Sequence, residues 1–217
     1  MDRFLPLLVS GVAYGSVVAL VALGFLVLNR ATGVVNFAHG DLVTLGAYLG
    51  VWAITDLGLP TVAGYVVAIA LMAAVGVVME RVAYAPLRRR SQLVVVISTL
   101  AAAIVIRASI SLWQGSTPRR LPTPVGDRVW RVGGANVTVQ RFLVIGVAAV
   151  AIGALMWLFH RTSFGRQLRA LAEDPEAAQL NGVQVRHISM VAFSLSAALA
   201  GLAGLLVAPI TSVTLTF

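Results

Sequence analysis

The chain has 217 residues, 59% of them hydrophobic and only 11% charged, with a mean hydropathy of +0.93. A water-soluble domain covers its surface with roughly a quarter charged residues, so this composition excludes one and implies a polytopic membrane protein. The net charge of +8 comes from sixteen arginines against eight acids; they sit almost entirely in the breaks between apolar runs, where anionic lipid and orientation account for them, and nucleic acid is not expected as a partner.

Those apolar runs give six expected spans, at about residues 4–28, 34–54, 59–79, 92–113, 141–160 and 188–210. A bilayer core requires about 20 residues of helix, which sets the scale for such runs. Helices are expected throughout, because an open sheet edge leaves backbone groups unsatisfied in hydrocarbon. The expected fold class is therefore all-α, a polytopic transmembrane helical bundle forming one domain over residues 1–217. The first run, Phe4 to Asn29, is too long for a signal-peptide core and reads as a retained span.

His39 and Asp41 interrupt the second run, which is expected to begin as a broken or re-entrant segment. Ionisable groups at membrane depth are expensive and normally face a cavity or a partner. One reading puts Asn36, His39, Gly40 and Asp41 on a translocation path or its gate. The other has His39 and Asp41 bond each other, or broken-helix backbone, and so brace the fold. Arg107, in the fourth span, is expected to snorkel to the outer interface, with contact to a substrate carboxylate as the other reading. Arg88, Arg89 and Arg90 form a cluster suited to anionic lipid, and Trp52, Trp113 and Trp157 fall near span ends as interfacial residues do.

Counting arginines in alternate loops sets the orientation. Arg30, Arg81, Arg88, Arg89, Arg90, Arg161, Arg166, Arg169 and Arg186 share one side, and Arg3, Arg119, Arg120, Arg128, Arg131 and Arg141 the other, so nine against six makes the first side cytoplasmic. Residues 114–140, with Pro118, Pro122, Pro124, Gly126 and Gly133-Gly134, then form an external loop with a small hairpin. Small residues crowd the spans, as in the run from Ala197 to Gly204, and let helix backbones approach closely.

The cytoplasmic segment 161–187 separates eighteen uncharged residues, Phe142 to Phe159, from thirty more, Ile188 to Phe217. Within it, Asp174-Pro175-Glu176-Ala177-Ala178-Gln179-Leu180-Asn181-Gly182 carries complete helix punctuation. Asp174 is the N-cap, Pro175 the first helical residue, Glu176 an acid in the first turn and Asn181-Gly182 the stop. A helix of two turns is too short to stand alone in water, so flanking spans or a partner must hold it. Ala177, Ala178 and Leu180 are expected to offer it a small apolar surface.

Glu176-Ala177-Ala178 followed after three residues by Gly182 resembles the EAA loop of ABC importer permeases, although the Leu-Pro common downstream in that family is absent. The block from Gly33 to Leu42, continuing to Tyr48, resembles the branched-chain amino acid permeases of such importers. Tyr14-Gly15-Ser16, Ser98-Thr99-Leu100, Gly165-Arg166 and Ala200 to Gly204 fit in order along the chain. The match favours the LivH type over the LivM type.

That resemblance implies a permease subunit in the bacterial inner membrane, moving branched-chain amino acids or similar small polar solutes. It implies as partners two ATPase subunits, a second permease in a homodimer or heterodimer, and an extracytoplasmic solute-binding protein. Asp174, Glu176, Ala177, Ala178 and Gly182 become the ATPase-coupling residues. Such permeases usually carry a further pair of spans and a Gly-rich loop, so the chain is expected to be incomplete at its C-terminus.

From the residues alone a second class stays open, a proton-coupled secondary transporter or channel with His39 and Asp41 as the relay. No zinc-binding His-Glu-x-x-His, no Gly-x-Ser-x-Gly elbow and no phosphate-binding Gly-Lys-Ser/Thr loop occurs. The absence of cysteine removes thiolate chemistry. No metal or cofactor is expected, and ATP hydrolysis falls to another polypeptide.

Overall fold

The computed structural model describes residues 4–115, 119, 121–123, 126, 129–132, 135–211 and 213. They form a helical bundle. In chain order it comprises α1 (Phe4–Thr32), α2 (His39–Val51) with a π-helical turn at Trp52–Asp56, and α3 (Thr61–Met79) with a second π turn at Glu80–Tyr84. Then come α4 (Gln92–Gln114), a hairpin of β1 (Val129–Val132) and β2 (Ala135–Thr138), α5 (Val139–Arg161), α6 (Ser163–Glu173), α7 (Pro175–Leu180) and α8 (Val185–Val207). Among the described residues five helices, namely α1, α3 with its π turn, α4, α5 and α8, are long and apolar enough to cross a membrane.

The expected second span departs from the six-span count. Residues 34–38 are not helical: Gly33 takes a φ of +68°, and the amide of Ala38 donates to Asn36 Oδ1 at 3.1 Å. Helix therefore starts only at His39, leaving a half-helix in place of a full span. The last span begins three residues earlier than expected, at Val185, because polar Arg186 and His187 end a hydropathy run without ending a helix. The hairpin expected before α5 forms, with Val129 opposite Thr138 and Val132 opposite Ala135.

Burial singles out α2 and α8 as the centre. All of α2 except Gly40 and Leu45 is buried, and α8 buries residues on nearly every side, from Ile188 to Val207. The peripheral helices bury one stripe each. On α1 it runs Val9, Ala13, Val17, Leu20, Gly24, Val27 and Leu28, the three-and-four spacing of a helix packed on one side.

Lipid tails supply no hydrophobic drive for helices to associate, so this centre is held by close contact. A β-carbon at Gly46 of α2 would overlap the Cα of Gly201 on α8, and one at Gly204 would meet the carbonyl oxygen of Val43. Gly76 of α3 likewise lies against the carbonyl of Phe193. At the far end of α2, Trp52 meets Trp113 of α4 edge to face, ring centroids 5.8 Å apart.

Replacing Gly46 or Gly204 by Val should cost about 1–3 kcal/mol, as overpacking of a filled interior does. It should read out as a lower Tm of the detergent-solubilised protein. Gly146→Ala, at a position with nothing within 4 Å, should leave the Tm unchanged. Equal melting of Gly46→Val and the parent would rule out the close crossing.

Candidate functional site

The segment from Gly33 to Ala38 enters the bundle beside the first turns of α4. Gln92 Nε2 donates to the Gly33 carbonyl at 3.1 Å, and the Phe37 amide donates to Thr99 Oγ1 at 3.3 Å. Asn36 and Ala38 of this irregular segment are buried and Val34 and Val35 partly so, whereas Gly33 and Phe37 are exposed. Asn36 is buried, and its Nδ2 finds no hydrogen-bond partner among the described residues.

His39 opens α2. Its Nε2 lies 3.0 Å from the carbonyl oxygen of Val21 on α1, and its Nδ1 lies 3.4 Å from Ser196 Oγ on α8. A carbonyl can only accept, so Nε2 carries the proton and Nδ1 accepts from the hydroxyl. Phe25 packs edge-on against the ring, centroids 6.2 Å apart.

These partners fix depth. Val21 lies eleven residues before the end of α1, and Ser196 eleven after the start of α8. At 1.5 Å per residue His39 is about 16 Å from that end of the bundle by either helix, half of a hydrocarbon core about 30 Å thick. From there α2 runs to the opposite end, where Asp56 Oδ1 meets Arg119 Nη1 at 3.4 Å.

Asp41, in the first turn of α2, does not bond His39. Residues two apart on a helix do not face each other, and Asp41 instead reaches Arg107 of α4. Its Oδ1 accepts from both Nε and Nη2 of the guanidinium at 3.0 Å. The expected reach of Arg107 for the outer interface is replaced by this contact with the carboxylate, while 60% of its side chain stays exposed against 10% for Asp41. The proposed His39–Asp41 relay thus has its members directed at different helices. Gly40, between them, is exposed with nothing within 4 Å of where a β-carbon would be.

The other candidate lies where α1 ends and α8 begins. Thr162 caps α6, accepting from the Gly165 amide at 3.3 Å, and α6 buries Leu168 and Leu171 while its other side is polar. Asp174 Oδ1 then accepts from the amides of Glu176 and Ala177, each at 3.0 Å, with Pro175 at the first helical position. At the far end Asn181 Nδ2 donates to the Ala177 carbonyl at 2.8 Å, and Gly182 turns the chain with a φ of +85°. All the punctuation read from the sequence is in place. The apolar surface expected on α7 is divided: Ala178 is buried against the bundle, whereas Ala177 and Glu176 are exposed and Leu180 projects with 90% of its surface free.

Arg30 lines one groove beside α7 with Tyr84, Leu171, Pro175 and Val185, and Arg88, Arg89 and Arg186 line a second with Gln179. Much of the arginine-rich side inferred by counting therefore gathers at one end. One acid there escaped sequence reading. Glu80 is fully buried in the π turn after α3 and accepts from Ser189 Oγ of α8 at 3.0 Å. Its cue was an acid without a basic partner one helical turn away.

Residues 7–216 match the family model described as the permease component of branched-chain amino acid transport systems. The chain is 33% identical over 216 residues to the high-affinity branched-chain amino acid transport system permease protein LivH of Escherichia coli. That alignment covers 94% of this chain and 70% of the relative. Against the corresponding BraD protein of Pseudomonas aeruginosa it is 32% identical with the same coverage. Against the probable branched-chain amino acid permease protein LivH of Methanocaldococcus jannaschii it is 29% identical, over 91% of this chain and 64% of that one. No solved structure gives a significant match.

Asp174→Ala should remove the cap of α7 at a cost of about 1 kcal/mol. Hydrogen exchange at the amides of Glu176 and Ala177 should then quicken about fivefold, with α8 unchanged. Unaltered exchange at both amides would mean the cap holds nothing.

Proposed function

The chain belongs to the family of permease components of branched-chain amino acid transport systems, and we propose that it is the transmembrane subunit of an ABC importer for branched-chain amino acids or similar small polar solutes. It works in the cell membrane, the inner one in a bacterium with two, beside a second permease chain as homodimer or heterodimer. Two ATPase subunits bind on the inside and an extracytoplasmic solute-binding protein on the outside. Catalysis of ATP hydrolysis belongs to the ATPases.

In this assignment residues 161–187 are the cytoplasmic coupling loop and residues 114–140 the external loop. The observation that carries it is α7: a capped, two-turn helix presenting exposed Glu176, Ala177 and Leu180 at the end of the bundle where much of the arginine-rich side gathers. Asp174 and Gly182 fix its two ends, and buried Ala178 seats it on the bundle, so an ATPase pressing on the exposed residues moves the whole stub. From Gly182 the chain passes directly into α8 at Val185. Because α8 packs on α1, α2 and α3, a displacement there shifts the balance between inward-open and outward-open packings. Asn36, His39, Gly40 and Asp41, near mid-depth with His39 against α8 and Asp41 against α4, line or gate the path.

Affinity purification of the tagged chain with its transport partners should recover ATPase subunits. Leu180→Asp should lower that recovery about tenfold or more, because a charge placed at the centre of a docking contact is costly to desolvate. Gly182→Val should act in the same direction by straining the +85° turn. Full ATPase recovery with Leu180→Asp, or solute uptake driven by a pH gradient in liposomes without ATP, would contradict the assignment.

A further inference from the structure

We propose that the Asp41–Arg107 pair is a mid-membrane subsite for the zwitterionic head of an α-amino acid, with the free edge of the guanidinium taking the carboxylate and the second oxygen of Asp41 taking the ammonium. The inference rests on the permease reading above.

Three observations lead to it. First, depth: Arg107 lies fifteen residues into the 23 of α4, about 10 Å from the nearer helix end at 1.5 Å per residue, and its Nε and Nη2 are held there by Asp41 rather than extended toward the surface. Second, exposure: a guanidinium with 60% of its side chain uncovered is costly against acyl chains at that level, which favours water or protein along this edge of α4. Third, valence: the pair uses two of the five guanidinium N–H groups and one carboxylate oxygen. Among the described residues no hydrogen bond reaches Arg107 Nη1 or Asp41 Oδ2.

A neutral pair with spare donors beside a spare acceptor complements a zwitterion, whose charges are equal, opposite and one carbon apart. A solute with a single net charge would find an unmatched partner in it. Leu45, one turn along α2 from Asp41, and Ile104, one turn back along α4 from Arg107, flank the pair with aliphatic carbon. An apolar amino-acid side chain could rest there.

The test uses the assembled importer in proteoliposomes, carrying Asp41→Asn, Arg107→Gln or both. Were the pair only a brace, the double variant, which leaves no orphaned charge, would regain the uptake lost by each single one. A subsite predicts that the double variant keeps its ATPases and its binding-protein-stimulated ATP hydrolysis. Its leucine uptake should nevertheless stay about tenfold or more below the parent, the factor expected for losing charge-assisted hydrogen bonds. Wild-type uptake by the double variant would overturn the proposal while leaving the permease assignment standing, and an importer that never yields ATPases would remove that assignment instead.

Labelling provides a readout independent of how the variants fold. The chain has no cysteine, so Ile104→Cys reports its own environment. Reaction with a charged methanethiosulfonate, slowed by leucine delivered on the binding protein, is expected. Reaction only with a membrane-soluble maleimide would place this edge in lipid and sink the proposal.

Discussion

The crossing of α2 and α8 at Gly46, Gly201 and Gly204 is the contact on which the rest of the bundle depends. Backbone meets backbone there because no side chain intervenes, and dispersion over that area replaces the hydrophobic drive that lipid does not provide. The crossing keeps α2 surrounded by protein. In that position the non-helical backbone leading into α2 can bury Asn36 and Ala38 against protein rather than lipid. A larger residue at the seam would push α2 outward and carry the irregular segment, His39 and Asp41 toward lipid.

From this constraint follows a division of labour along α8. Its first two turns follow α7 in the chain and hold the Glu80–Ser189 contact; Ser196 meets His39 at mid-depth; Gly201 and Gly204 then lock onto α2. One rigid rod thus joins the surface stub to the half-helix start. In the proposed importer a push on α7 need not travel through a chain of side-chain contacts, since α8 itself touches each of the places that must move. His39, bonded to both α1 and α8, sits where those helices would shear.

Local features were legible in the sequence and non-local ones were not. Asp174, Pro175, Asn181 and Gly182 act within one or two turns of themselves, so their spacing alone fixed where α7 starts and stops. Span positions followed from hydropathy for the same reason, with errors of a few residues where Arg186 and His187 are helical but polar. The pairing of Asp41 with Arg107, 66 residues apart, could not be read, because it depends on how deep the second helix begins. That depth is set by His39 finding Val21 and Ser196 on two other helices. Ala178 facing inward and Leu180 outward depended likewise on how α6 and α7 lie on the bundle. Buried Glu80 was hidden at a span end, where an acid ordinarily signals water.

In the proposed importer α7 stands on the inner face and touches the energy-supplying subunit. Placing a single cysteine at Leu180 in this cysteine-free chain and crosslinking the assembled transporter in sealed vesicles tests it most directly. A crosslink to an ATPase subunit is expected, formed only on the cytoplasmic side and altered in yield when ATP is trapped. Modification of that cysteine by an impermeant reagent from the outer face, or crosslinks that never include an ATPase, would contradict it.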